Sequence, residues 1–364
     1  MSIIAIVGAG RVGSAAAKIL LTTADHELAL IDSNEETLKS VFLDCSELGR
    51  SEHLEAMYPS IPVETYLVFN TEQLEATLKK IKPDVVLCTT PFADYLDVAK
   101  ATQKVKAHFV GFTEDTEVNN AIKDLGITRQ TFIAQTGLAP GLINYIGLSL
   151  FETLGSPKKL DMRVGALPQV SFGPGHYAIT WSPEGLVNEY LKSSVRLVNG
   201  HIETVPALDE HETLIVDGIQ YEAFSTAGGI GDIDAYNIPS VEYKSIRFPG
   251  HLEFLQKLMS KSEGLDETVK LFKETFYTTR DDIVVIAAQA VDENNKSAST
   301  SLHFCPSVEL GITALELTTA GTGVGIIEMI LNGDLEAGVL DCSDIPFSGL
   351  LETAALRVIF DHLM

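Results

Sequence analysis

Gly8-Ala9-Gly10-Arg11-Val12-Gly13 sets three glycines at G-x-G-x-x-G spacing between the β-branched run Ile3–Val7 and the small-residue stretch Ser14–Leu21. A strand that turns into a helix over such a loop can cradle a pyrophosphate. Gly8 permits the tight turn, Gly10 lets the backbone approach the phosphates, and Gly13 lets helix and strand lie close. The helix N-terminus adds unpaired N–H groups and a positive dipole end. Nineteen residues past Gly13, Asp32 closes the run Leu28–Ile31. A carboxylate there accepts hydrogen bonds from an adenosine ribose and repels a 2′-phosphate, so the expected cofactor is NAD. Arg11 and Asn34 leave room for NADP. Arg11, Val12 and Ser33 join Gly8, Gly10, Gly13 and Asp32 as the expected cofactor-binding residues. The competing reading of Asp32 is a turn or helix-cap residue.

Ligands of parallel α/β sheets lie outside the carboxyl ends of the strands. Two later apolar runs, Val85–Cys88 and His108–Phe112, end in Thr89-Thr90-Pro91 and Thr113-Glu114-Asp115. Thr89, Thr90, Pro91 and Thr113 are therefore expected to line the cofactor cleft near the nicotinamide. Thr113–Asp115 also reads as a cap on the helix that follows, and the two roles are compatible. In the second half, chemistry concentrates in two stretches. Tyr177–Glu184 reads Y-A-I-T-W-S-P-E and holds the only tryptophan. Tyr243–His251 reads Y-K-S-I-R-F-P-G-H, which puts Lys244, Arg247 and His251 within nine residues of an otherwise acidic chain. A guanidinium clamps a carboxylate with two parallel hydrogen bonds. The stretch is thus either a site for a substrate carboxylate or a surface loop with ion pairs. His176 and His303 have no second ligand at metal spacing, and no metal is expected.

These residues need a scaffold to position them. Ahead of Pro140, the strand-like runs Ile3–Val7, Leu28–Ile31, Val63–Phe69, Val85–Cys88, His108–Phe112 and Thr131–Ala134 alternate with amphipathic stretches. One of these starts at Glu35 and is read as interrupted around Gly49 and Pro59. Such alternation implies a doubly wound parallel sheet covered on both faces. Beyond Pro140, Asn199-Gly200 and Asp217-Gly218 separate short β-branched runs as type I′ turn dipeptides. Ile283–Val291 and Ala298–Phe304 bracket the polar Asp292–Lys296 as a third hairpin, and helices are expected at Pro183–Lys192, Leu252–Lys261 and Leu265–Phe276. The fold class is α/β: a Rossmann doubly wound parallel sheet plus a second α+β domain with a mainly antiparallel sheet. Residues 1–140 form the expected dinucleotide-binding domain, 141–314 the substrate or catalytic domain, and 315–364 a set of helices returning to the first domain.

Length and composition agree. A chain of 364 residues suits about two domains, and 45% hydrophobic with 21% charged residues is a globular balance. A formal net charge of −24 repels phosphate backbones and anionic lipid, so neither nucleic acid nor membrane is an expected partner. Cys45, Cys88, Cys305 and Cys342 are far apart, form no C-x-x-C and suit a reducing compartment. No run reaches the roughly 18 apolar residues of a spanning helix. No basic stretch precedes the first strand, so a cytoplasmic protein is expected.

Beyond these general features, the chain resembles the saccharopine dehydrogenase-like family, and within it the lysine 6-dehydrogenases most closely. The resemblance rests on G-A-G-R-V-G at 8–13, T-G-L-A-P-G at 136–141, W-S-P-E-G-L at 181–186 with N-E-Y at 188–190, V-N-G at 198–200, E-A-F at 222–224 and R-F-P-G-H at 247–251. It implies NAD-dependent oxidation of an amino-acid C–N bond, with a hydride passing from the amine carbon to the nicotinamide. The substrate nitrogen must first be unprotonated, which calls for a base. The resemblance makes Glu114 the first choice for proton transfer or substrate-amine binding, makes Arg247 and His251 candidate substrate-carboxylate or cleft residues, and implies a homodimer acting on a small-molecule amino acid. Two departures stand out: Gln135-Thr136 and Phe69-Asn70 occupy places where relatives often carry an aspartate. Two rivals stay open on the sequence. One is NADPH-dependent reductive condensation of an amine with an aldehyde, as in carboxynorspermidine synthases. The other is a non-catalytic NAD-binding sensor or assembly protein.

Overall fold

The computed structural model describes residues 1–23, 26–48 and 62–364, so the interruption expected around Gly49 and Pro59 lies outside the described residues. The chain divides into two compact units. The first comprises Met1–Leu142, Val308–Ile312 and Glu316–Asp361; the second comprises Ile143–Ser307, Thr313–Leu315 and His362–Met364.

The first unit is built on a parallel sheet of β1 (Ile3–Val7), β2 (Glu27–Asp32), β3 (Val63–Leu67), β4 (Val85–Cys88), β5 (His108–Gly111), β6 (Thr131–Ile133) and the two-residue β15 (Gly338–Val339). Their order is β15-β6-β5-β4-β1-β2-β3. Strands with both faces covered read as unbroken apolar runs, and Ile4–Val7, Leu28–Ile31 and Val85–Cys88 are accordingly buried along their length. Between them run α1 (Arg11–Thr23), α2 (Glu35–Leu48), α3 (Thr71–Ile81), α4 (Tyr95–Val105) and α5 (Thr116–Lys123). After β6, Gly137–Gly141 folds back on itself as a sharp turn, with Leu142 N–H donating to the Gly137 carbonyl at 2.8 Å. It leads into α6 (Leu142–Ser149).

The later helix α10 (Ala314–Asn332) is long and apolar enough to cross a membrane by length and composition, yet 78% of that window is buried inside the protein. Its Gly321 stands so close to Ile359 that an added Cβ would fall 2.7 Å from it. The last helices expected within 315–364 are two short ones, α11 (Phe347–Leu351) and α12 (Ala354–Phe360). Thr353 separates them by capping α12, accepting Leu356 N–H at 3.3 Å, while Glu328 accepts the Ala354 and Ala355 N–H groups at 2.7 and 3.0 Å.

The second unit holds a sheet of order β10-β11-β12-β7-β13-β14, with β8 paired to β12 and to β9. The strands are β7 (Pro157–Pro168), β8 (Ser194–Val198), β9 (His201–Val205), β10 (Glu212–Val216), β11 (Ile219–Phe224), β12 (Ser240–Arg247), β13 (Asp282–Asp292) and β14 (Ser297–Phe304). All three hairpins expected from their turns are present. Asn199 and Asp217 take the positive φ of 52° and 48° that type I′ turns require. One pairing, β12 with β7, is parallel. Helices α7 (Pro183–Leu191), α8 (His251–Met259) and α9 (Gly264–Thr275) pack with the sheet around Leu167, Tyr177, Tyr190, Phe224, Ile246 and Phe272.

Candidate active site

At the end of β1, Gly8 has φ of 99°, and its Cβ position would lie 2.8 Å from the Thr89 backbone. Gly13 is tighter still, since a Cβ there would come within 2.0 Å of the Gly8 carbonyl oxygen. These two glycines are required by the chain itself. Gly10 differs, because apart from its chain neighbours no atom of the described residues lies within 4 Å of its Cβ position. Its open surface sits beside the first turn of α1, where the first N–H groups have no helical partner. The arrangement suits a pyrophosphate.

Asp32, at the end of β2, accepts Ala9 N–H at 2.6 Å on one oxygen and Asn34 N–H at 2.8 Å on the other. It therefore ties the glycine loop to its own turn. The cap of α2 is Asn34, which accepts Glu36 and Thr37 N–H at 2.9 and 3.1 Å. Ser33, Gly10 and Arg11 are exposed on the same edge. Arg11 is already paired, with its Nε 2.6 Å from the buried Glu316 of α10. Sequence reasoning missed that partner, because nothing local links residues so far apart in the chain.

At the ends of β4 and β5 the expected cleft residues are largely committed to the scaffold. The Thr89 hydroxyl donates to the Val7 carbonyl at 3.2 Å and also to the Gly8 carbonyl, locking the glycine loop. Thr90 Oγ1 lies 3.3 Å from Cys88 Sγ, and burial pushes that thiol up to about 12. Pro91 is exposed. Thr113 is buried, and its Oγ1 accepts Asp115 N–H at 3.1 Å. Asp115 in turn caps α5 through Val118 N–H at 3.0 Å. Glu114 sits half-buried between the two, at the carboxyl edge of the sheet.

In the second unit, Tyr243–Arg247 is no surface loop but the inner strand β12, paired to β11 on one side and β7 on the other. Lys244 and Arg247 are three positions apart on a strand and so face opposite ways. Lys244 meets Glu212 and Glu242, each at 3.5 Å, beside Arg163. Arg247 is only 3% exposed. Its Nε donates to the Tyr190 hydroxyl at 2.6 Å and one terminal nitrogen to the Ile246 carbonyl at 2.8 Å; the other lies 3.6 Å from Glu189. Its guanidinium also lies 5.2 and 5.4 Å from the ring centres of Tyr177 and Tyr190. His251 begins α8 fully buried, with Nδ1 2.8 Å from the Gly175 carbonyl and Nε2 3.3 Å from the Tyr190 hydroxyl. Arg247 and His251 thus meet at Tyr190, and Lys244 stands apart. Tyr190 and Glu189 belong to the quoted N-E-Y motif, the one sequence signal that pointed to them.

Burial, and then the neighbouring Arg247 charge, push His251 down to about 3, so it is neutral near pH 7. Unfolded, the same imidazole binds a proton below about pH 6.5. Its contribution to stability is therefore full above pH 6.5 and is lost as pH falls toward 3. Each pH unit in that window costs about 1.4 kcal/mol, or about 2 kcal/mol by pH 5. Urea unfolding at pH 7 and pH 5 is expected to show the wild-type chain losing that much more stability than His251→Gln. Equal losses in the two would mean that His251 is not held neutral.

Among the described residues, no group of three or more His, Cys, Asp or Glu side chains is placed to hold a metal ion. A model of the saccharopine dehydrogenase NADP binding domain matches residues 4–130, and one of the saccharopine dehydrogenase C-terminal domain matches 137–352. Among curated proteins, the mitochondrial alpha-aminoadipic semialdehyde synthase of Bos taurus is 24% identical over 225 residues, 56% of this chain and 23% of the bovine one. Its Mus musculus counterpart is 29% identical over 146 residues, 36% of this chain and 15% of its own. The match spans less than a quarter of either relative. Among solved structures, the apo saccharopine dehydrogenase (L-Glu forming) of Saccharomyces cerevisiae shares the fold. Its TM-score is 0.72 at 15% identity, covering 97% of this chain and 96% of that one.

Proposed function

The chain belongs to the saccharopine dehydrogenase family, and from that premise we propose that it oxidises the C–N bond of an amino acid with NAD as acceptor, in a lysine 6-dehydrogenase or saccharopine dehydrogenase-like reaction. The observation that carries this reading is Gly10, a glycine that the chain's own packing does not require, in a loop whose other two glycines it does. A dinucleotide held by Gly8–Gly13, Asp32 and Ser33 supplies the two-electron acceptor. Asp32 repels a 2′-phosphate, and Arg11, neutralised by Glu316 at 2.6 Å, offers it little. Both features favour NAD.

Glu114, after β5, takes the proton that the substrate amine must lose before its C–N bond is oxidised. Arg247 presents positive charge to a substrate carboxylate, which exchanges with Glu189, and neutral His251 holds the Tyr190 hydroxyl in place beside it. The matched N-terminal domain carries NADP in its name, and that supports the second reading, NADPH-dependent joining of an amine to an aldehyde. Absorbance at 340 nm decides between them. The panel is L-lysine, ornithine, diaminobutyrate and saccharopine with NAD or NADP at alkaline pH. Reduction of NAD by one of the four is expected, and Glu114→Gln should then lose turnover while still binding NADH. Oxidation of NADPH with amine–aldehyde pairs, and no reaction in the first direction, would replace the proposal with the reductive reading. Dinucleotide binding without turnover in either direction would leave a sensor.

A further inference from the structure

Residues 8–14 and 32–34, the glycine loop and the turn after β2, hold one cation, Arg11. It opens α1 directly after Gly10, so a 2′-phosphate on the ribose suited to Asp32 has this one guanidinium to draw on. That guanidinium is already held. Its Nε donates to Glu316 Oε1 at 2.6 Å, and the Arg11 side chain is 40% exposed where that of Glu316 is 5%. The difference in burial decides which partner keeps Arg11. Drawing it to a phosphate takes the cation from a carboxylate inside the protein, and breaking a buried pair costs more than one charge-assisted contact returns. The reverse change is cheap, because a guanidinium this exposed turns to water when its partner is removed. Glu316 lies in the first turn of α10, 305 residues along the chain from Arg11. It falls within the matched C-terminal domain, 137–352, and outside the matched NADP binding domain, 4–130.

We propose that Glu316 sets the dinucleotide preference by withholding Arg11 from a 2′-phosphate, an inference that rests on the dinucleotide reading above. The choice between NAD and NADP is then made by a residue that the NADP binding domain does not contain, so a match to that domain does not foretell it. Asp32 repels a 2′-phosphate whatever stands at 316. Freeing Arg11 therefore gains affinity for NADPH at the lower end of what one charge-assisted contact gives, about tenfold.

Binding, not turnover, is the test. NADH and NADPH are titrated by their own fluorescence against wild type, Glu316→Gln, Glu316→Met and the double variant Arg11→Ala with Glu316→Gln. Thermal melting shows that each is folded. Glutamine removes the charge and keeps an acceptor for Arg11; methionine removes both. Wild type should bind NADH the more tightly. Glu316→Gln should bind NADPH about tenfold more tightly than wild type does, and Glu316→Met at least as much. Both should bind NADH within about threefold of wild type. The double variant should return NADPH to wild-type affinity, because the gain passes through Arg11. The proposal is overturned if folded Glu316→Met leaves NADPH binding unchanged, if NADH gains as much as NADPH, or if the double variant keeps the gain. Should methionine unfold the chain, Glu316→Gln is judged by the same criteria. A wild type that binds NADPH at least as tightly as NADH would overturn the NAD reading and this proposal together. One that binds neither would overturn the dinucleotide reading itself.

Discussion

Gly10→Ala is expected to raise the dissociation constant for NADH between about tenfold and a hundredfold while moving the unfolding midpoint by no more than about 3 °C. Apart from its chain neighbours, the added methyl meets no atom of the described residues within 4 Å, so their packing is untouched. The residue precedes α1, and Ser14 N–H already donates to its carbonyl at 2.8 Å, so the cost to the fold is that of a weaker helix start. The cost to the ligand is larger. The methyl stands between the backbone and a pyrophosphate, and one charge-assisted hydrogen bond lost there is worth about 1.5–3 kcal/mol. Gly13→Ala is the opposite experiment. Its Cβ would fall 2.0 Å from the Gly8 oxygen and 2.8 Å from Thr89 Oγ1, so the loop or helix α1 must move. Overpacking of that kind costs about 1–3 kcal/mol and lowers the midpoint as well as the affinity. Calorimetry and NADH titration on the two variants separate the roles. A Gly10→Ala chain that binds NADH like wild type would sink the pyrophosphate reading of the loop.

What the residues reveal in advance follows how local the determining interaction is. The glycine loop, Asp32 and the three hairpins are legible because a short segment carries its own geometry: a positive φ at Asn199 or Asp217 is demanded by the turn itself. Strand β12 is not legible in this way. Its neighbour β7 lies far upstream and runs parallel, so no turn announces the pairing, and the cationic Lys244 and Arg247 suit a surface as readily as a site. The charges on that strand are accommodated by residues brought from elsewhere: Glu212 for Lys244, Glu189 and Tyr190 for Arg247. Buried charge is tolerable only when paired, and the pair is a property of the tertiary fold. The same holds for Arg11, whose partner Glu316 enters from α10. Thr89 shows the complementary case: it follows strand β4, and its hydroxyl is engaged by the Val7 and Gly8 carbonyls, which no local pattern announces.

Arg247→Met should destabilise the chain by about 3 kcal/mol, lowering the unfolding midpoint by roughly 4 °C. Methionine fills much of the volume, so the loss is electrostatic rather than a cavity effect. It removes the cation 3.6 Å from Glu189, the donor 2.6 Å from the Tyr190 hydroxyl, and the charge over two aromatic rings. The figure belongs at the lower end for a broken buried pair because the Glu189 side chain keeps 16% of its surface in water. Arg247→Lys keeps the charge but cannot bond the Tyr190 hydroxyl and the Ile246 carbonyl at once, and should fall between the two. Adding Glu189→Gln to Arg247→Met removes the carboxylate that faced the lost cation and should return about 1 kcal/mol, a coupling that double-mutant analysis reads directly. Kinetics on the lysine variant then divide structure from recognition. If Arg247 receives a substrate carboxylate, KM rises more than the stability loss accounts for, and it rises only for substrates that keep that carboxylate. If KM for the amino acid and for its decarboxylated analogue shift equally, Arg247 is a positioning residue that fixes Tyr190 and Glu189, and the carboxylate is held elsewhere.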